Sequence, residues 1–331
     1  MTERDAWLAA LPKAELHLHL EGAIPLPALF ELIRAAGGDP AVPTVEALRE
    51  RLTYADFPAF IETWIWKNGF LRSYDDFAFI AEAVARDLAR QNIRYAELFF
   101  SPARFADRGL TAARLAEAIR SGFERVPDVT LYLIADLVRD LGPDNAARTL
   151  AEIVEVAGEA GIPGIGIGGS EHLYPPEPFA PVYEAARKAG LRTSAHAGEA
   201  AGAKSVRGAV EALRVDRIGH ALRAEEDEAV IDLLAETCTV LELCPLSNLA
   251  TGVIRRIEDH PVRRYWERGL NITVNTDDPG MFHNSLAGEY ALLMDVFGFS
   301  REEIRRLAAA ALEGAWCGPE EKARLGPLFA A

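Results

Sequence analysis

Short apolar, strand-like runs recur along the chain, at 14–19 (AELHLH), 93–100 (IRYAELFF), 130–137 (TLYLIADL), 162–168 (IPGIGIG), 191–196 (LRTSAH), 216–220 (DRIGH), 238–244 (CTVLELC) and 270–276 (LNITVNT). Between them lie stretches with apolar residues at helical spacing and glycine near several ends, among them AARLAEAIRSGFERV, DNAARTLAEIVEVAGEA, FAPVYEAARKAG and DEAVIDLLAET. About eight alternations of strand and helix predict an α/β fold of the (β/α)8, TIM-type barrel kind, as one domain across residues 1–331. A doubly wound open sheet is the alternative, but no GxGxxG follows the first strand. The IGIGG at 165–169 is a weak nucleotide signal because it opens no convincing helix. The first two strands are unusually far apart. A helical insertion spanning roughly 24–92, including FPAFIETWIWKNGF, is expected at the catalytic face as a lid. Trp64 and Trp66 are expected to pack within it.

Composition narrows the class. The 331 residues are 50% hydrophobic and 26% charged, ample for a buried core. A net charge of −15 with no basic cluster argues against nucleic acid as a partner. Three cysteines without a CxxC suggest neither a disulfide framework nor a thiolate zinc site. The first residues carry no signal-peptide pattern, and LAAAALEGAW is too short to cross a bilayer. A cytoplasmic protein that does not bind membranes is the expectation; the oligomeric state is left open.

Candidate chemistry gathers at strand ends. In a strand, His17 and His19 share one face while Leu16, Leu18 and Leu20 share the other. His196 ends the run SAH, His220 ends RIGH, and Asp277-Asp278 follow the last strand in NTDDP. These metal-competent side chains stand at the C-terminal ends of four of the eight predicted strands, the end at which barrel enzymes build their sites. A buried carboxylate pair there is costly without a partner. Three imidazoles and a carboxylate, with one position left for water, suit Zn²⁺, Fe²⁺ or Mn²⁺, and nitrogen-rich ligation favours zinc. His260, before a proline, is read as a turn preceding a helix. His172 and His283 are left outside the site.

Taken in order, HLHLEGA, SAHAGE, RIGH, LCPLSN and NTDDP resemble the adenosine/adenine deaminases of the metal-dependent amidohydrolase superfamily, over essentially the whole chain. The resemblance implies one zinc ion bound by His17, His19, His196 and Asp277. It makes Glu199 the proton shuttle, and it has His220 orient the attacking water and help deprotonate it. It also places Asp278 and Gly169 against the purine. The implied reaction is hydrolytic loss of the 6-amino group, for which a carboxylic acid of raised pKa at Glu199 would protonate the ring nitrogen as water attacks.

Substrate choice rests on Glu21, which stands where adenosine deaminases of the family carry Asp. HLHLEG looks like the adenine enzymes, whereas Asn275-Thr276-Asp277-Asp278 and Gly169 look like the adenosine enzymes. The expected order is adenosine or a modified adenosine, then 6-aminodeoxyfutalosine, then adenine, with His19 and Glu21 also lining the substrate. A binuclear amidohydrolase would carry a bridging lysine in a middle strand. The fourth strand has none, and Lys67, Lys188 and Lys204 fall in helix-like or loop segments. A non-catalytic metal-binding barrel would have no use for Glu199.

Overall fold

The computed structural model describes residues 2–330. Its eight strands are β1 (Lys13–His19), β2 (Ile93–Phe100), β3 (Thr130–Asp136), β4 (Gly164–Gly166), β5 (Arg192–Ala197), β6 (Arg217–His220), β7 (Val240–Leu243) and β8 (Ile272–Val274). They pair in sequence order, every neighbour parallel. Where β8 returns to β1, Leu18 bridges Asp277 and the His19 N–H donates to the Asp277 carbonyl at 2.9 Å. The Asn275 side chain accepts from the Leu16 and His17 N–H groups at 2.8 and 3.2 Å, replacing a backbone rung. These bonds join the sheet into a barrel.

Three predicted strands are shorter than the sequence suggests by more than one residue, each for a local reason. Pro163 has no N–H to donate, so β4 begins only at Gly164. Cys238 takes a left-handed conformation (φ 53°) to end the helix Glu228–Thr237, which delays β7 to Val240. Leu270 still bonds back to Tyr265, and Asn275 spends its side chain on β1, which trims β8 at both ends.

The glycines of the fourth strand, at 164, 166 and 168, have a packing role. Alternate residues of a barrel strand point inward. A Cβ on Gly164 would lie 2.4 Å from the Trp316 ring, and one on Gly166 would lie 2.4 Å from Phe99. The inward face of β4 is stripped of side chains so that two large rings can fill the interior.

Four helices separate β1 from β2: Leu26–Ala35, Val45–Arg51, Phe57–Asn68 and Tyr74–Arg90. The last begins with a Ser73/Asp76 capping box and packs along the helix Ala112–Phe123, so it belongs to the outer ring. The third carries Phe57, Phe60, Ile61 and Trp64 at the i, i+3, i+4, i+7 spacing of one helical face. That face is turned toward the C-terminal mouth of the barrel. The helix Arg301–Gly314 closes the ring against β8 and β1. Among the described residues no helix is long and apolar enough to cross a membrane.

Candidate active site

At the C-terminal ends of β1, β5 and β8 the donor atoms of His17, His19, His196 and Asp277 all lie within 4.8 Å of one another. The His19 and His196 Nε2 atoms are 3.1 Å apart, and Asp277 Oδ1 lies 3.5 Å from His17 Nε2 and 3.3 Å from His19 Nε2. All but His19 are buried, and His17 Nε2 has no hydrogen-bond partner. Three imidazoles and a carboxylate converging on one point, one of them with an orphaned nitrogen, fit a divalent cation of the zinc type. Ser247 donates to Asp277 Oδ2 at 2.6 Å and holds its second oxygen away from that point.

His220, at the end of β6, brings Nε2 to 3.6 Å from Glu199 Oε2 and 3.9 Å from Asp277 Oδ2, while Asn248 Nδ2 sits 3.0 Å from its Nδ1. His220 and Asp277 both have positive φ, at 66°. A left-handed conformation costs a non-glycine residue of order 1 kcal/mol and persists where surrounding structure enforces it, commonly at functional sites.

Burial sets the protonation of this cluster. Burial lowers the His220 imidazole to about 3, with the neighbouring imidazoles adding to the effect. Glu199 is pushed well above the usual carboxylate range, first by burial and then by the charges of Asp277 and Glu171. Asp278 rises in the same way, from burial and from Asp277. For Asp277 burial opposes charge, yet the His17 imidazole beside it and the other surrounding imidazoles hold it well below the usual value. Carboxyl groups a few ångströms apart thus settle into opposite forms, the pattern expected where an acid and an anion must coexist.

Above this floor lies a cleft partly open to solvent. Ser101, Asp136, Val138, Gly168 and Gly169 form its wall, and Phe57, Phe60, Ile61 and Trp64 form its roof, with Arg104 beside Trp64. The two tryptophans of the insertion therefore separate. Trp66 packs on Phe70 and donates to Asp39, as expected of an insertion core, whereas Trp64 faces the cleft. Glu199 sits in a bend before the helix Ala203–Gly208 and so is not a first-turn residue. Asp278 precedes the short helix Pro279–Phe282 without capping it through its side chain.

Glu21 is placed differently from the extrapolated strand. β1 ends at His19, and a turn closed by Ala23 N–H on the His19 carbonyl re-aims the next residues. Glu21 is fully buried outside the cleft lining and accepts the Ser101 N–H at 2.9 Å. His172 and His283 are exposed and away from the cleft lining, and His260 accepts the Val262 N–H at the start of the helix Val262–Glu267.

The family model described as Adenosine deaminase matches residues 12–328. The chain belongs to the adenosine deaminase family. It is 35% identical to an adenine deaminase of Rhizobium meliloti (strain 1021), over 96% of this chain and 98% of the relative. It is equally 35% identical to an aminodeoxyfutalosine deaminase of Streptomyces avermitilis, over 98% of this chain and 92% of the relative. Among solved structures, a zinc-bound amidohydrolase from Burkholderia ambifaria superposes with a TM-score of 0.90 at 28% identity, covering 100% of this chain and 93% of that one. The protein is accordingly a hydrolase that deaminates an adenine-containing substrate.

Several residues that build this deaminase site escaped the sequence reading. Glu171 accepts four consecutive backbone N–H groups, from Gly198, Glu199, Ala200 and Ala201, at 2.6–3.1 Å, and so fixes the loop that presents Glu199. Asp136 ties Ser101 to the wall by accepting from its hydroxyl and from the Gly168 N–H. Gly22 is required by contact: a Cβ there would fall 1.5 Å from Asp278 Oδ1. Asp136 lies one residue before the end of the predicted strand 130–137 and ends the observed β3, close to the signal that singled out the histidines. Glu171 carries no such signal, because its partners lie some thirty residues away in the next βα loop.

Proposed function

We propose that this deaminase hydrolyses the 6-amino group of an adenine-containing nucleoside, adenosine or a modified adenosine, with one zinc ion held by His17, His19, His196 and Asp277. The observation that carries the reading is the pairing of that donor set with the buried Glu199 and His220, 3.6 Å apart, at the floor of the cleft. A bound zinc supplies Lewis acidity, able to bring the pKa of a coordinated water from 15.7 to roughly 7.

This chain's own residues account for the rest. His220, neutral at working pH with its proton on Nδ1 and the Asn248 amide turned so that Oδ1 accepts it, takes the proton of the attacking water through Nε2 as the oxygen adds at C6. Glu199, in its acid form, protonates the adjacent ring nitrogen, which removes the charge that addition would otherwise leave on the ring. The amino group departs as ammonia once a proton is returned to it. Asp278, braced on Gly22, hydrogen-bonds the far edge of the purine, and Gly169 lets the backbone approach the base. Glu21 acts from behind the wall through the Ser101 N–H. The helices Leu26–Ala35, Val45–Arg51 and Phe57–Asn68 serve as the lid.

The roof supports a nucleoside over a free base. Phe57, Phe60, Ile61, Trp64 and Arg104 extend the cleft beyond the floor that a purine would cover. The same apolar face supports a second reading, aminodeoxyfutalosine, whose 5′ side is large and aromatic. Comparing kcat/KM for adenosine, 5′-deoxyadenosine, aminodeoxyfutalosine and adenine, by ultraviolet absorbance and ammonia release, tests both. Nucleosides are expected to exceed adenine. Adenine turned over fastest would overturn the nucleoside reading, and no ammonia from any of the four would overturn the deamination site as assigned.

A further inference from the structure

Beneath the site, inward-facing residues of β1, β7, β6 and β2 form a buried charged column where barrels are ordinarily filled by apolar layers. His17 Nδ1 meets Glu242 Oε2 at 2.8 Å, and Glu242 Oε1 meets Arg217 Nε at 2.5 Å. Arg217 Nη2 meets Glu97 Oε2 at 2.5 Å. Glu97 Oε1 then accepts from the Tyr95 hydroxyl and from the Trp316 N–H, both at 2.6 Å. The Arg217 guanidinium stacks 3.5 Å from the Trp316 ring centre and donates to the Gly314 carbonyl. His17, Glu242, Arg217 and Glu97 are all 0–1% exposed.

Each contact constrains the next. The Glu242 carboxylate can only accept and its Oε1 faces the Arg217 guanidinium, so His17 must present Nδ1–H to Oε2, which leaves the unpartnered Nε2 directed at the other three donors. A carboxylate behind a metal-ligating imidazole fixes its tautomer and its orientation, and losing such a partner costs about 10- to 100-fold in metal affinity. Glu242 can hold that position only because Arg217 balances it, since an unpaired buried charge is strongly destabilising. Arg217 in turn is clamped by Glu97 and by the segment that follows the helix Arg301–Gly314.

We propose that Glu97, Arg217 and Trp316 are positioning residues that set the metal affinity of the site through Glu242 and His17, so that the C-terminal segment of the chain governs metal retention from the opposite end of the barrel. The inference rests on the metal centre proposed above. It is tested on the zinc-loaded full chain by competition with a chromophoric chelator, with the thermal midpoint of the chelator-stripped protein measured in parallel. Glu97→Gln keeps shape and removes one charge, and Trp316→Ala removes the stack and leaves every charge in place. Both are expected to weaken zinc binding about 10-fold. Arg217→Gln is expected to weaken it further, with Arg217→Lys recovering part of the loss and Trp316→Phe most of it. A downfield Nδ1–H proton resonance of His17 should shift in Glu97→Gln if the column transmits its position. Zinc affinity equal to wild type in folded Glu97→Gln and Trp316→Ala would overturn the column's role. If Glu97→Gln does not fold, Trp316→Ala and Trp316→Phe decide. A wild-type chain that takes up no zinc would instead overturn the metal centre itself.

Discussion

The two ends of the barrel interior are both charged, yet they are finished differently. Deeper in the barrel, Glu97 and Glu242 both pair with Arg217, and this column meets Tyr95, Trp316 and backbone groups at close range. At the C-terminal mouth, His17 Nε2, His196 Nδ1 and Asp278 Oδ1 are buried without partners, and His220 and Asp277 hold left-handed backbone conformations. An unsatisfied buried polar atom costs about 1–3 kcal/mol. The column's own orphans, Arg217 Nε and Glu242 Oε1, face each other in ion contact at 2.5 Å, whereas His17 Nε2 at the mouth faces the point where its donors converge. The difference teaches that one end is built for itself and the other for something it must bind.

The largest expected effect comes from attacking the mouth directly. His17→Ala should lose bound zinc and deaminase activity together, and metal analysis beside a rate assay checks this. Full activity in zinc-free protein would break the contrast between a self-satisfied end and a ligand-dependent one. Glu199→Gln keeps size and burial and removes the shuttled proton. Its kcat should fall by at least about 10²-fold with zinc still bound, and a near-normal kcat would remove Glu199 from the chemistry.

A smaller effect separates two tryptophans two residues apart on the helix Phe57–Asn68. Trp64 faces the cleft, so Trp64→Ala should raise KM roughly 10-fold for the preferred nucleoside and change thermal stability little. Trp66 packs on Phe70 and bonds Asp39. Trp66→Ala should therefore lower the thermal midpoint, by about 1–3 kcal/mol of stability for a partly buried ring, at nearly unchanged KM. Identical kinetic behaviour of the two variants would dissolve the distinction between roof and lid core.

The smallest effect lies far from both ends. Ser300 and Glu303 form a capping box on the helix Arg301–Gly314, and Arg263 pairs with Glu303 at 2.9 Å. The Ser300 hydrogen bonds are the leading cause, with Arg263 adding to them, of a Glu303 carboxyl held down at about 2. A lowered folded-state pKa stabilises the protein above the unfolded value near 4.3, and that contribution disappears as pH falls from there toward 2. Ser300→Ala should cost about 1 kcal/mol at pH 7 and progressively less across that window, read from denaturant midpoints. A constant difference down to pH 2 would show that the cap does not act through the Glu303 charge.

The legibility of this molecule in its sequence follows from range. His17 and His19 could be placed on one face because strand alternation is a property of adjacent residues. His196, His220 and Asp277 could be placed at one barrel end because each closes an apolar run, and parallel strands bring those ends together. Glu21 was misplaced by the same logic, since a turn begins one residue after β1 and period-two reasoning stops there. The alternating glycines of the fourth strand read as a weak nucleotide motif until Trp316 and Phe99 were found filling the space they leave.

The sequence by itself therefore determined the barrel, the histidines and carboxylates that gather at its mouth and the end at which they meet, because each is written in periodicity and in strand termini. Only the tertiary structure decided that Glu171 clamps the Glu199 loop, that one face of the helix Phe57–Asn68 roofs the cleft, and that Glu242, Arg217 and Glu97 stand in line behind His17. Glu97 and Arg217 are 120 residues apart, and His17 and Glu242 are 225 apart. No local propensity encodes such pairings. They exist because closing the barrel forces inward side chains of distant strands into one dry column, where each charge must find a partner.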